Sequence, residues 1–193
     1  DGYQADRDWM GGLDLQLAHF GSLVAEARNR MVIALNEGLQ KSDGKIFATP
    51  AVNLADDQLH TEQQLHQMLE QYRSADRAAG RTTRGPHRTD LLVFHSAKEQ
   101  PAEKCSTGEQ KALLFSIILA HADLIAERRN DRPILLLDEV AAHLDPQRRA
   151  ALFGKLAERG GQVWLTGTEA ELFKDIPDSA LHFEVSDGRL KIR

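Results

Sequence analysis

The string ILLLDE, Ile134 to Glu139, restricts this chain more than any other stretch. Four consecutive apolar residues without alternation suit a strand buried on both faces, and such strands belong to parallel sheets flanked by helices. The run stops at two acids, Asp138 and Glu139. In sheets of this kind ligands bind beyond the carboxyl ends of the strands. A carboxylate there can hold Mg2+ through oxygen, and a second can orient or deprotonate an attacking water. A buried strand simply emerging into solvent would carry the same letters, so the neighbouring sequence has to decide.

Strands and helices alternate around this run. Asp90 to His95 reads as a strand, and a polar turn at Lys98 to Pro101 leads to a short strand before Cys105. A helix is predicted from about Glu109 to Arg128, then the strand Ile134 to Leu137, a helix from Pro146 to Glu158, a strand from Gln162 to Leu165 and a brief helix near Glu169 to Phe173. Asp187-Gly188 marks the turn of a terminal hairpin. The alternation implies an α/β fold with a parallel-rich sheet and flanking helices. Upstream the period changes. Leu13, Leu17, Phe20, Val24, Ala27 and Met31 step by four and three, a helical seam, within a helix expected from Arg7 to Glu37 that stops at Gly38. Phe47, Pro50 and Val52 lie in a looser, partly extended segment. A second helix is expected from Asp56 and Asp57, with Leu65, Met68, Leu69, Tyr72 and Ala75 on one side. Glycines and a proline make residues 80–88 a loop. The expected organisation is a short antiparallel helical arm over residues 1–88 and an α/β lobe over 89–193.

Bulk properties narrow the function classes. The net charge of −5 gives no global nucleic-acid signature, so any such surface is local. The single cysteine, Cys105, excludes an intramolecular disulfide and a zinc knuckle, and fits a reducing cytoplasm. Eight histidines occur without H-E-x-x-H spacing, and no apolar run approaches the roughly 20 residues that cross a bilayer.

Three further motifs surround the acids. Ser106 to Lys111, STGEQK, opens the helix before the acid-ended strand. Ser106-x-x-Glu109 is a capping box, which explains those two residues structurally. The same helix end, with Gly108, is also an anion site. Asp145-Pro146 is an N-cap followed by proline at the first helical position, and Asp145 can also serve an interface. Thr166, in LTGT, ends the next strand.

The order and spacing of these motifs resemble the second half of an ABC-type ATPase head. Together with GPHRTD (85–90), PILLLDEVAAHLD (133–145) and QVWLTGT (162–168), they resemble the RecF family of bacterial recombination mediators along essentially the whole chain. The resemblance implies roles. Glu139 would be the catalytic acid and Asp138 the Mg2+ ligand, directly or through water. Ser106, Gly108, Glu109, Gln110 and Lys111 would form a signature segment that meets ATP in trans, and Asp145 the D-loop. Thr166 stands where a switch histidine is usual. Many RecF sequences carry two aspartates where this chain has Asp138-Glu139. No G-x-x-x-x-G-K-[ST] loop occurs in the 193 residues. In the family that loop precedes the arm, so the chain is expected to be a C-terminal half lacking the Walker A lobe. Such a half should lack strands of the sheet, leave an apolar edge or face exposed, and be sticky or dimeric and inactive alone.

The family further implies ATP and Mg2+ as cofactors, an ATP-dependent homodimer, sequence-independent DNA binding at gaps or junctions, RecR/RecO-type mediators, recombinase loading and roles in DNA repair, replication and the SOS response. The local DNA candidates are Arg73, Arg77, Arg81, Arg84 and Arg88, five arginines against the single acid Asp76, a local +4. A solvated helix end with one or two arginines tied into the head is the plainer explanation. Two alternatives stand beside RecF: a chromosome ATPase head of the SMC kind, and a degenerate, non-hydrolysing head kept for dimerisation or docking.

Overall fold

The computed structural model describes residues 7–41, 48–55 and 61–192. Two compact units share them: residues 7–41 with 49–105, and residues 106–192 with Ala48. The division falls at Cys105 rather than at the change of periodicity near residue 88. The reason is pairing: the strand expected at 90–95 hydrogen-bonds to one that precedes it by forty residues.

In the first unit, helix α1 (Arg7–Lys41) packs along α2 (Glu62–Ala79). Asp14 pairs with Arg73 and His19 with Glu62, which sets the helices antiparallel. Ala18, Leu65 and Leu69 are buried between them, with Met68 against the cluster. Gly21 permits the close approach: a Cβ there would meet Pro86 at 3.3 Å and Leu65 at 3.4 Å. The expected seam is not the buried face. Leu13, Leu17, Phe20 and Val24 are 42–58% exposed, whereas Ala18, Leu35 and Leu39 are buried. α1 carries two apolar stripes, and the one built on small residues at Ala18 and Gly21 is the one α2 can approach. The helix also runs through Gly38 to Lys41. The start of α2 is later than expected. Thr61 is its N-cap, closing a capping box with Gln64. Asp56, Asp57 and Phe47 lie outside the described residues.

Strand β1 (Pro50–Leu54) pairs antiparallel with β2 (Leu91–His95), which pairs antiparallel with β3 (Gln100–Pro101). The parallel arrangement expected of the alternating strands is therefore confined to the second unit. β1 is an edge strand, and α1 closes it. Asn36 Nδ2 donates to Val52 O at 2.7 Å, and Val52 N–H donates to Asn36 Oδ1 at 2.9 Å.

The second unit begins with α3 (Thr107–Arg129), followed by β4 (Leu135–Leu137), α4 (Pro146–Arg159) and β5 (Val163–Leu165). β4 and β5 are parallel, in register from Leu135 with Val163 to Leu137 with Leu165. Their inner face joins a core of Ala112, Phe115, Leu119, Leu137, Val140, Leu144, Leu152 and Leu156. The outer face is left open, as expected of a sheet that lacks strands. Leu136 is 75% exposed and Trp164 48%, the indole stacking on Phe183 at 6.1 Å. β6 (Phe183–Ser186) and β7 (Arg189–Ile192) form the terminal hairpin. It turns through Asp187 and Gly188, both at positive φ.

Candidate functional site

The carboxyl ends of β4 and β5 lie side by side because the strands are parallel and in register, so the residues just past one strand meet those just past the other. β4 runs into Asp138 and Glu139, and β5 into Thr166. Thr166 N–H continues the ladder to Leu137 O at 3.1 Å. Its hydroxyl donates to Asp138 Oδ1 and accepts the Glu139 N–H at 3.2 Å. Glu139 takes φ +52, a left-handed conformation that costs a non-glycine residue about 1–2 kcal/mol. Asp138 and Thr166 are exposed and Glu139 is half-buried. The acids are thus presented at the sheet edge, with the apolar strand behind them.

Behind Thr166 the loop is fixed by packing. A Cβ on Gly167 would stand 2.7 Å from the Phe173 ring, and Phe173 stacks on the buried Phe153 at 6.3 Å. A side chain at 167 would therefore need the Phe173 ring to shift. The helix expected at 169–173 is a 3-10 turn over Ala170–Phe173.

At the head of α3, Ser106 N–H and hydroxyl both donate to Glu109 Oε2, each at 3.0 Å. In this arrangement the serine hydroxyl is engaged in the capping box. Space above Gly108 is open: a Cβ would meet nothing within 4 Å. Gly108, Glu109, Gln110 and Lys111 are half-buried on the first turns of the helix. Asp145 caps α4, its Oδ1 accepting Arg148 N–H at 2.9 Å, with Pro146 at the first helical position.

The arginine cluster sits in the first unit and divides by its partners. Arg73 bonds Asp14, and that bond holds the guanidinium pKa above its ordinary value against the opposing effect of burial. Arg84 lies over the Tyr72 ring at 4.9 Å. Arg77, Arg81 and Arg88 are exposed. The loop after α2, which carries Arg81 and Arg84, is pinned by Asp76. This carboxylate accepts from the Thr83 hydroxyl at 2.5 Å and the Thr83 N–H at 2.8 Å, and the hydroxyl first, then the amide, holds its pKa below the ordinary value. Arg28 reaches the same loop by donating to Pro86 O. Sequence reasoning missed Asp76–Thr83 because the two side chains are seven apart across the helix end. It counted Asp76 only as a lone acid.

Asp138 supplies the hard oxygen that Mg2+ prefers. No group of three or more His, Cys, Asp or Glu side chains that could hold a metal occurs among the described residues. No helix among the described residues is long and apolar enough to cross a membrane.

Residues 7–166 match the family model described as "AAA domain, putative AbiEii toxin, Type IV TA system". DNA replication and repair protein RecF of Brucella abortus (strain 2308) is 47% identical over 96% of this chain and 51% of its own length. RecF of Allorhizobium ampelinum is 44% identical over 97% of this chain and 52% of its own. The chain therefore spans about half the length of the curated relatives it matches. The solved structure of the recombination mediator protein RecF with ATP, in the RecFOR pathway, superposes with a TM-score of 0.76 at 20% identity, covering 97% of this chain and 52% of that one. An SMC ATPase structure superposes at 0.52 with 14% identity over 88% of both chains, so the fold is shared with SMC heads as well. The chain belongs to this AAA-domain ATPase family, and its resemblance within it is to RecF.

Proposed function

We propose that this chain provides the acid-bearing half of a RecF-like, ATP-dependent DNA-binding recombination mediator. The observation that carries the reading is the Asp138–Thr166–Glu139 arrangement at the carboxyl ends of two parallel strands. In a phosphoryl-transfer site a carboxylate in that place binds the metal and its neighbour orients water. Asp138 is the residue that would hold Mg2+, which when bound neutralises charge developing on the phosphates. Glu139 would position the attacking water. The phosphate loop would come from outside these 193 residues, in a lobe that this chain would complete.

Ser106, Gly108, Glu109, Gln110 and Lys111 form the edge that would close over ATP bound to a second subunit, with Asp145 at the seam. For that, Ser106 has to exchange Glu109 for the nucleotide as its hydrogen-bond partner. ATP would then hold two heads together and hydrolysis would release them. Exposed Arg77, Arg81, Arg84 and Arg88 would neutralise DNA phosphates without reading sequence, whereas Arg73 is committed to Asp14. RecR- and RecO-type mediators and a recombinase are the protein partners of this reading, and the cytoplasm its compartment. The test is light scattering of the full-length protein with Mg·ATP. Dimers that persist in Glu139→Gln and decay in the unsubstituted protein support the reading. A protein that stays monomeric with ATP in both forms would sink it.

A further inference from the structure

Three hydrogen bonds tie Thr166 to the end of β4. The one from its N–H to Leu137 O continues the parallel ladder and needs no special side chain. The other two are made by the hydroxyl, which donates to Asp138 Oδ1 while accepting the Glu139 N–H. Sheet pairing does not call for either. They require one atom that is donor and acceptor at once on a short side chain, which the hydroxyl of serine or threonine supplies best.

Each bond has a consequence for an acid. Donation to Asp138 occupies Oδ1, while Oδ2 accepts no hydrogen bond among the described residues. Acceptance from Glu139 satisfies the N–H of a residue held at φ +52, where the chain is not at rest without a partner. The threonine is itself braced, because the next residue, Gly167, lies under the Phe173 ring and that ring stacks on Phe153.

We propose that Thr166 is a positioning residue for the acid pair. Its hydroxyl sets which oxygen of Asp138 is free for the metal, and it fixes the backbone from which Glu139 presents its carboxylate. The role rests on the phosphoryl-transfer reading above and adds a determinant to it: the two acids are set by one hydroxyl from the neighbouring strand. Mutual orientation of metal ligand and water-orienting acid is then a property of the β4–β5 pair.

The test compares Thr166→Val, which keeps shape and loses the hydroxyl, with Thr166→Ser, which keeps the hydroxyl. In the 193-residue chain the readout is hydrogen exchange of the Glu139 amide by NMR, which needs no nucleotide. Exchange about fivefold to tenfold faster in the valine variant is expected, with serine within about threefold of the unsubstituted chain. In the full-length protein, valine should lower kcat by about 10–100-fold while KM for ATP stays within about twofold, and serine should restore kcat. Unchanged Glu139 exchange in Thr166→Val overturns the proposal, and so does an unchanged kcat. An unsubstituted full-length protein that does not hydrolyse ATP instead removes the phosphoryl-transfer reading, and with it this role. The amide readout keeps the two failures apart.

Discussion

Asn36→Ala should be among the more damaging single changes in the first unit. Val52 is fully buried and sits on the edge strand β1, opposite Val93 of β2. Its N–H and C=O are both served by the Asn36 amide, at 2.9 and 2.7 Å. Alanine removes both partners at once. A buried backbone group left unpaired costs about 1–3 kcal/mol, so two of them cost roughly 2–4 kcal/mol after partial access of water. For a chain of this size each kcal/mol lowers Tm by about 2–4 °C, which puts the expected drop at ~4–16 °C. Asn36→Asp keeps the acceptor for Val52 N–H and loses the donor to Val52 O, so it should fall between. Calorimetric melting of the three proteins measures this directly, and faster exchange of the Val52 amide should accompany it. A Tm for Asn36→Ala within about 1 °C of the unsubstituted chain would refute the reasoning, since it would mean that the edge of β1 needs no closure.

Four other outcomes are expected from the same structure. Leu152→Ala, at a fully buried position of the second core, should cost about 2–5 kcal/mol in denaturant unfolding. Gly167→Ala should cost about 1–3 kcal/mol, because a Cβ there meets the Phe173 ring at 2.7 Å; Phe173→Leu in the same chain should recover part of the loss. Asp76 has its pKa held below 3.8, the ordinary value for the group, so its contribution to stability is present above that value and is lost as pH falls through the lower folded value; Asp76→Asn should flatten this part of the acid-unfolding curve. Replacing Arg77, Arg81, Arg84 and Arg88 together by alanine should weaken DNA binding of the full-length protein across all sequences and reduce the salt slope by about 0.9 for each phosphate no longer neutralised, with Arg73→Ala instead registering as lower stability.

The second unit was largely legible in the sequence because its signals are local. The Ser106–Glu109 capping box, the Asp145-Pro146 start and the Asp187-Gly188 turn each depend on residues within a few positions of one another. The unalternated run at 134–137 gave the parallel strand and the acids at its end. The first unit was less legible because its determinants are distant. Periodicity shows that α1 has an apolar stripe through Leu13, Leu17, Phe20 and Val24. It does not show that α2 takes the stripe through Ala18 instead. Pairing of β1 with β2 joins segments forty residues apart, and no pattern within either strand announces an antiparallel partner. Within the site, both acids and Thr166 were expected near one another, but the two-sided use of the threonine hydroxyl is a matter of geometry alone. The exposed outer face of β4–β5, at Leu136 and Trp164, is the kind of apolar face that a sheet short of strands was expected to leave uncovered.

Centrally, the acids of this chain are proposed to complete a nucleotide site whose phosphate loop lies elsewhere. Isothermal calorimetry of Mg·ATP tests this most directly, on the 193-residue chain and on the full-length protein with the phosphate loop. A split site predicts binding by the full-length protein and none by the 193 residues alone. Tight binding by the 193 residues would contradict the split site, and absence of binding by the full-length protein would contradict the nucleotide reading of Asp138 and Glu139 altogether.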